Sequence, residues 1–125
     1  MILDTNALSA IADGDAALEP ILRHAEEIAV PVTVLGEYRY GIRQSRDRAR
    51  YEQWLAESVR SYRVLDVDEE TAGVYANLRS ELKRAGTPIP SNDVWIAALC
   101  RQHSFPLLSR DRHFSSVRGI RRIAW

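Results

Sequence analysis

The sequence predicts an α/β protein: a three-layer α/β/α sandwich around a central, mainly parallel sheet. Short apolar runs alternate with amphipathic stretches in the order strand, helix, strand, helices, strand, helix, helix, strand, which places parallel strands in one sheet with helices on both faces. The first run ends directly on an acid, in Ile2-Leu3-Asp4, as expected where a strand meets the ligand-binding edge of such a sheet. The segment Val94 to Cys100 is apolar on nearly every side, which marks a central buried helix.

Met1 to Leu3 reads as a short buried strand. The helical segment after it is interrupted near Gly14 and resumes with Ala17, Leu18, Ile21, Leu22 and Ala25 at helical spacing. Ile28 to Val32 is a second strand, and Pro31 confines it to a sheet edge or a strand end because proline donates no ladder hydrogen bond. Thr33 is expected to cap the next helix, whose inner face is Val34, Leu35, Tyr38 and Ile42. Arg46 to Ser61 should form another helix, with Tyr51, Trp54, Leu55 and Val59 along one side. Tyr62 to Val67 alternates and then turns apolar, as a strand does.

Asp68, Glu69 and Glu70 open a helix by complementing the positive end of its dipole. It buries Val74, Tyr75, Leu78 and Leu82 and stops at Gly86, ahead of Pro88 and Pro90. Ser91 or Asn92 is expected to cap Asp93 to His103; Phe105 to Leu108 is a strand, and Arg122 to Trp125 a last one.

A chain of 125 residues fits one domain, and folding should bury roughly two thirds of its unfolded surface. Hydrophobic content of 46% and charged content of 27% are ordinary for a globular protein. No apolar run approaches the roughly 20 residues needed to span a bilayer. The first run meets Asp4 too soon to leave room for a secretion signal, so the cytoplasm is the expected compartment. Cys100, the single cysteine, excludes an intramolecular disulfide and reads as a buried thiol.

With 17 basic and 17 acidic residues, the balance argues against a broad electrostatic footprint for nucleic acid. Lys83 is the only lysine, however, so nearly every cation is a guanidinium, suited to bidentate phosphate or carboxylate contact. Arg39, Arg43, Arg46, Arg48 and Arg50 crowd one stretch, and Arg110, Arg112, Arg118, Arg121 and Arg122 another. Each cluster is either a solvated face or a contact surface.

Asp4, Glu37, Asp93 and Asp111 lie where apolar runs end or helices begin, positions that an open α/β sheet gathers at one edge. Asp4 and Asp111 could each simply cap the turn that follows. Asp93 has less reason to cap, since Ser91 and Asn92 already offer that role, and its charge at the mouth of an apolar helix needs a partner. Glu37 follows Gly36 and precedes Gly41 within one helix, where each glycine costs about 1 kcal/mol relative to alanine, so a packing or access reason is expected. Asp13, Asp15, Glu26, Glu27, Asp47, Glu52, Glu57 and Glu81 should be solvated. His24, His103 and His113 lack ligand spacing, which argues against zinc.

Such oxygen ligands suit magnesium or manganese. Asp4 and Asp93 would hold a first ion, Glu37 and Asp111 would complete its shell or orient water, and Asn6 and Ser109 would support them.

The set Asp4-Thr5-Asn6, Gly36-Glu37 with Tyr40-Gly41, Asn92-Asp93 with Ile96-Ala97-Ala98, and Ser109-Arg110-Asp111-Arg112-His113-Phe114 resembles the PIN domain, in particular the VapC-type toxin ribonucleases of type II toxin-antitoxin systems. The resemblance runs in order along the chain. It implies a PIN-like fold and a magnesium- or manganese-dependent endoribonuclease in which Asp4, Glu37, Asp93 and Asp111 form the acidic quartet. It further implies an RNA substrate, a homodimer, and a cognate antitoxin whose C-terminal segment covers the active site. Arg39, Arg43 and Arg46 lie where the family's helical clip meets RNA or antitoxin. Ser109 stands where many relatives have threonine, which keeps the hydroxyl. His113 stands where some carry a further acid, which bears on a second metal.

The rival reading is a catalytically silent PIN-like module that only binds RNA or protein. Four close acids argue against it, since mutual repulsion would destabilise a site with nothing to hold. A dehalogenase would want a second aspartate where Asn6 stands, and a phosphoacceptor receiver a lysine near Ser109.

Overall fold

The computed structural model describes residues 1–125 and pairs five strands into one sheet. These are β1 (Ile2–Leu3), β2 (Ala29–Pro31), β3 (Arg63–Leu65), β4 (Leu107–Leu108) and β5 (Arg122–Ile123), in the spatial order β3-β2-β1-β4-β5. Every pairing is parallel, with Ile2 opposite both Ala29 and Leu107. A parallel strand covered on both faces has no solvent side, so its residues are continuously apolar. Ile2, Leu3, Ala29, Val30, Leu107 and Leu108 are accordingly inaccessible to solvent.

Six helices surround the sheet: α1 (Thr5–Ala12), α2 (Glu19–His24), α3 (Val32–Ile42), α4 (Arg48–Val59), α5 (Glu69–Arg84) and α6 (Ser91–His103). The chain winds outward from β1 through β2 to β3, then returns across the sheet to β4. Right-handed crossovers put outward and return helices on opposite faces. The packing agrees, with α1, α3 and α4 against one another and α5 against α6. The expected sandwich is therefore present, and its winding direction reverses beside β1. The ends of β1 and β4 flank that switch point, the place where an open α/β sheet forms its ligand crevice.

The central helix is α6, with Val94, Ile96, Ala97, Ala98, Leu99 and Cys100 all buried. Burial pushes the Cys100 thiol up to about 12. No helix is long and apolar enough to cross a membrane.

Several local expectations need correction. Pro31 closes β2, an inner strand, so the strand-end alternative is the one realised. Pro31 also occupies the N-cap of α3, and Thr33 lies inside the helix with its hydroxyl unpartnered. Pro90 is likewise the N-cap of α6, which leaves Ser91, Asn92 and Asp93 as its first three residues. In both places the fixed proline φ holds the extended backbone that an N-cap requires, and no side-chain cap forms. The helix expected from Arg46 begins at Arg48, and the strands are shorter than the apolar runs that contain them.

Candidate active site

Asp4 leaves β1 and caps α1, accepting a 2.8 Å hydrogen bond from the Ala7 amide. It is only 5% exposed. Burial raises its pKa, hydrogen bonds from the Ser109 hydroxyl and the Ala7 and Asn6 amides oppose that rise, and the charge of Asp111 adds to it. Capping does not take Asp4 away from the other acids: the side chain that caps α1 still lies close enough to Asp111 to feel its charge.

Ser109 follows β4 and is fully buried. Its Oγ accepts the Asp111 amide at 3.0 Å, and the same hydroxyl lies near enough to Asp4 to favour that carboxylate's charged form. One side chain thus sits between the acids that follow two neighbouring strands. Arg122 fastens the same strand end from β5, donating to the Ser109 carbonyl at 2.9 Å. Asp111 then caps the 3₁₀ turn Arg112–Ser116 by accepting from the His113 amide at 3.0 Å.

Asp93 is half-buried in the first turn of α6. Burial is the largest cause of its raised pKa, followed by the charge of Asp111; Asp4 and Glu37 push the same way, and His113 opposes them. Asp93 therefore senses all three other acids. Glu37 sits on the exposed side of α3, gripped by the Thr5 hydroxyl at 2.8 Å and the Asn92 amide at 3.0 Å. Its position is set jointly by α1, α3 and α6.

The glycines beside Glu37 have no packing role. A Cβ at Gly36 or Gly41 would meet nothing within 4 Å, so of the two expected reasons only open access fits. Thr5 and Glu37 also line a cleft of about 250 Å³ that runs between α1, α3 and α4 to Asp13 and Tyr51.

Asn6 is exposed, and its side chain has no protein partner. Thr5 and Asn92 were missed as site residues. Their signal was adjacency, a hydroxyl and an amide each next to a candidate acid. His113 corrects the reading of scattered histidines: its ring nitrogen and one oxygen each of Asp93 and Asp111 lie within 4.8 Å of one another. Several of the acids expected to be solvated are engaged, and two of them bear on the site. Asp13 accepts from the Tyr51 hydroxyl at 2.6 Å, and Asp15 pairs with Arg110 at 2.9 Å, anchoring the segment that carries Asp111.

Arg39, Arg43 and Arg46 are exposed and form no ion pair, whereas Arg48 and Arg50 are paired with Glu52 and Asp47. Tyr40 lies among the unpaired three, 69% exposed.

The donor set fits a divalent cation. Carboxylate oxygens dominate it, no lysine or arginine neutralises Asp93, and burial makes the accumulated negative charge costly.

The PIN domain family profile matches residues 1–120, a span that includes every segment supplying a carboxylate. Ribonuclease VapC5 of Mycobacterium tuberculosis is 32% identical over 123 residues, covering 94% of this chain and 87% of that protein. The solved structure of VapBC-5 from Mycobacterium tuberculosis, a member of the VapBC family of toxin-antitoxin systems, is similar at a TM-score of 0.74 and 31% identity, covering 98% of this chain and 94% of the other. DNA-bound VapBC from Salmonella typhimurium is similar at 0.87 and 25%, covering 99% and 96%. A sheet order that brings the ends of β1 and β4 together, acids at both, and a match along nearly the whole chain place this protein in the PIN domain family.

Proposed function

We propose that this chain is a VapC-type toxin, an endoribonuclease that hydrolyses RNA phosphodiester bonds with a divalent ion and is neutralised by a cognate antitoxin. The observation that carries the reading is the gathering of Asp4 after β1, Asp111 after β4 and Asp93 in the first turn of α6, with oxygens of Asp93 and Asp111 within 4.8 Å of one another and burial raising the pKa of Asp93. The names of its relatives, ribonucleases and toxin-antitoxin complexes, support the same reading.

Asp4, Asp93 and Asp111 would hold magnesium or manganese, with Glu37 at the solvent side. The ion would offset charge on the phosphodiester and acidify the attacking water. Glu37, held by Thr5 and Asn92, would orient that water and accept its proton. Ser109 keeps Asp4 and Asp111 in register. An acidic crevice repels RNA, so Arg39, Arg43 and Arg46 would supply the attraction, or meet the antitoxin instead. The working form would be a cytoplasmic homodimer.

Induced expression in a bacterial host tests this reading. Growth should arrest with new RNA ends at a recurring sequence, and Asp4→Asn should abolish both effects. Co-expression of the protein encoded beside this gene should restore growth. Arrest that persists unchanged in Asp4→Asn would refute the proposed site.

A further inference from the structure

We propose that His113 is itself a metal ligand, so that this site carries one nitrogen donor among its oxygens and prefers manganese to magnesium. The inference rests on the acids being a metal site and adds a ligand to them. His113 sits two residues beyond Asp111 on the 3₁₀ turn that Asp111 caps, and the cap directs both side chains to the same side. Its Nε2 lies 2.9 Å from Asp111 Oδ1. In an octahedral shell with metal-ligand distances of about 2.1 Å, adjacent ligands stand about 3 Å apart. The pair therefore already has the spacing of neighbouring ligands, and Asp93 completes a three-point set with every separation under 4.8 Å.

The histidine side chain remains 48% exposed, leaving room for water and substrate oxygens to fill other positions. An imidazole nitrogen changes which ion is favoured. Magnesium selects hard oxygen and keeps its waters, whereas the first-row ions accept imidazole more readily as they soften from manganese toward zinc.

The test is electron paramagnetic resonance of the metal-free protein titrated with manganese, together with binding titrations of both ions. The wild type should show bound manganese with nitrogen hyperfine coupling and tighter affinity for manganese than for magnesium. His113→Gln should lose the coupling and bind manganese more weakly, by at least the roughly 10–100-fold that loss of a supporting partner costs. His113→Asp should also lose the coupling and shift preference toward magnesium. Bound manganese that disappears in Asp93→Asn but never shows nitrogen coupling would overturn the His113 assignment while leaving the metal site standing. Coupling that survives in His113→Gln would overturn it too, by pointing to another histidine. No manganese binding sensitive to Asp93→Asn would overturn the metal site and the assignment together.

Discussion

Replacing Asp93 with asparagine should make the metal-free protein more stable and the metal-treated protein less responsive. Oxygens of Asp93 and Asp111 lie within 4.8 Å. Two unit charges at that separation repel by about 1 kcal/mol in bulk water and about 3 kcal/mol at an effective dielectric of 20. Asp93 and Asp111 are both partly buried, so the repulsion is at least the lower figure, and Asp4 and Glu37 add smaller amounts. A gain of about 1 kcal/mol corresponds to roughly 4 °C in melting temperature for a domain of this size. The wild type should instead gain on the order of 2.7 kcal/mol when the ion is at a hundred times its dissociation constant, and the variant little. The pH dependence has a definite sign. Because the folded-state pKa of Asp93 is raised above 3.8, its ionisation penalises the fold fully above the raised value and not at all well below 3.8. The gap between Asp93→Asn and wild type should therefore be widest near neutrality and close as pH falls through that window. Thermal melts of both proteins, in chelator and in manganese from about pH 3 to about pH 8, measure all of this. A variant less stable than wild type in chelator, yet still stabilised by manganese, would refute the reasoning.

Ser109→Ala should cost about 1–3 kcal/mol in chemical denaturation, because the Asp111 amide loses its partner at a fully buried position beside the Asp4 carboxylate. Asn92→Ala should lower cleavage about tenfold by freeing one oxygen of Glu37, and it should leave the melting temperature nearly unchanged because Asn92 is exposed. Joint replacement of Arg39, Arg43 and Arg46 by alanine should change stability by less than about 0.5 kcal/mol each, since none is paired. The same triple variant should weaken RNA binding and flatten its salt dependence by up to about 0.7 log units per lost phosphate contact, as binding titrations at several salt concentrations would show. Cys100 should resist thiol reagents in the folded protein at pH about 8 and react on unfolding, because burial holds its pKa near 12.

How much of this was legible in the sequence depended on the range of the interaction involved. The parallel sheet was readable because Ile2-Leu3, Ala29-Val30 and Leu107-Leu108 must be apolar to be covered on both faces. The four acids were readable because the topology fixes where strand ends meet. Caps were misjudged at Thr33 and Ser91 because a preceding proline supplied the backbone geometry without a side-chain bond. The supports of Glu37 were invisible because Thr5 and Asn92 lie 32 and 55 residues away from it, and no local pattern reports such a bond. The spacing of the three histidines says nothing of the company His113 keeps, because its neighbours are carboxylates on another helix and at its own cap.

The central claim is that these four carboxylates cleave RNA by metal-assisted hydrolysis, and purified protein acting on defined RNA tests it most directly. Wild type should cut with manganese or magnesium, leave linear phosphate ends with no cyclic phosphate as direct attack by water requires, and stop in chelator. Asp4→Asn and Asp93→Asn should fall to background while remaining folded. Equal cleavage by the two variants, or products ending in cyclic phosphate that form regardless of chelator, would contradict the account.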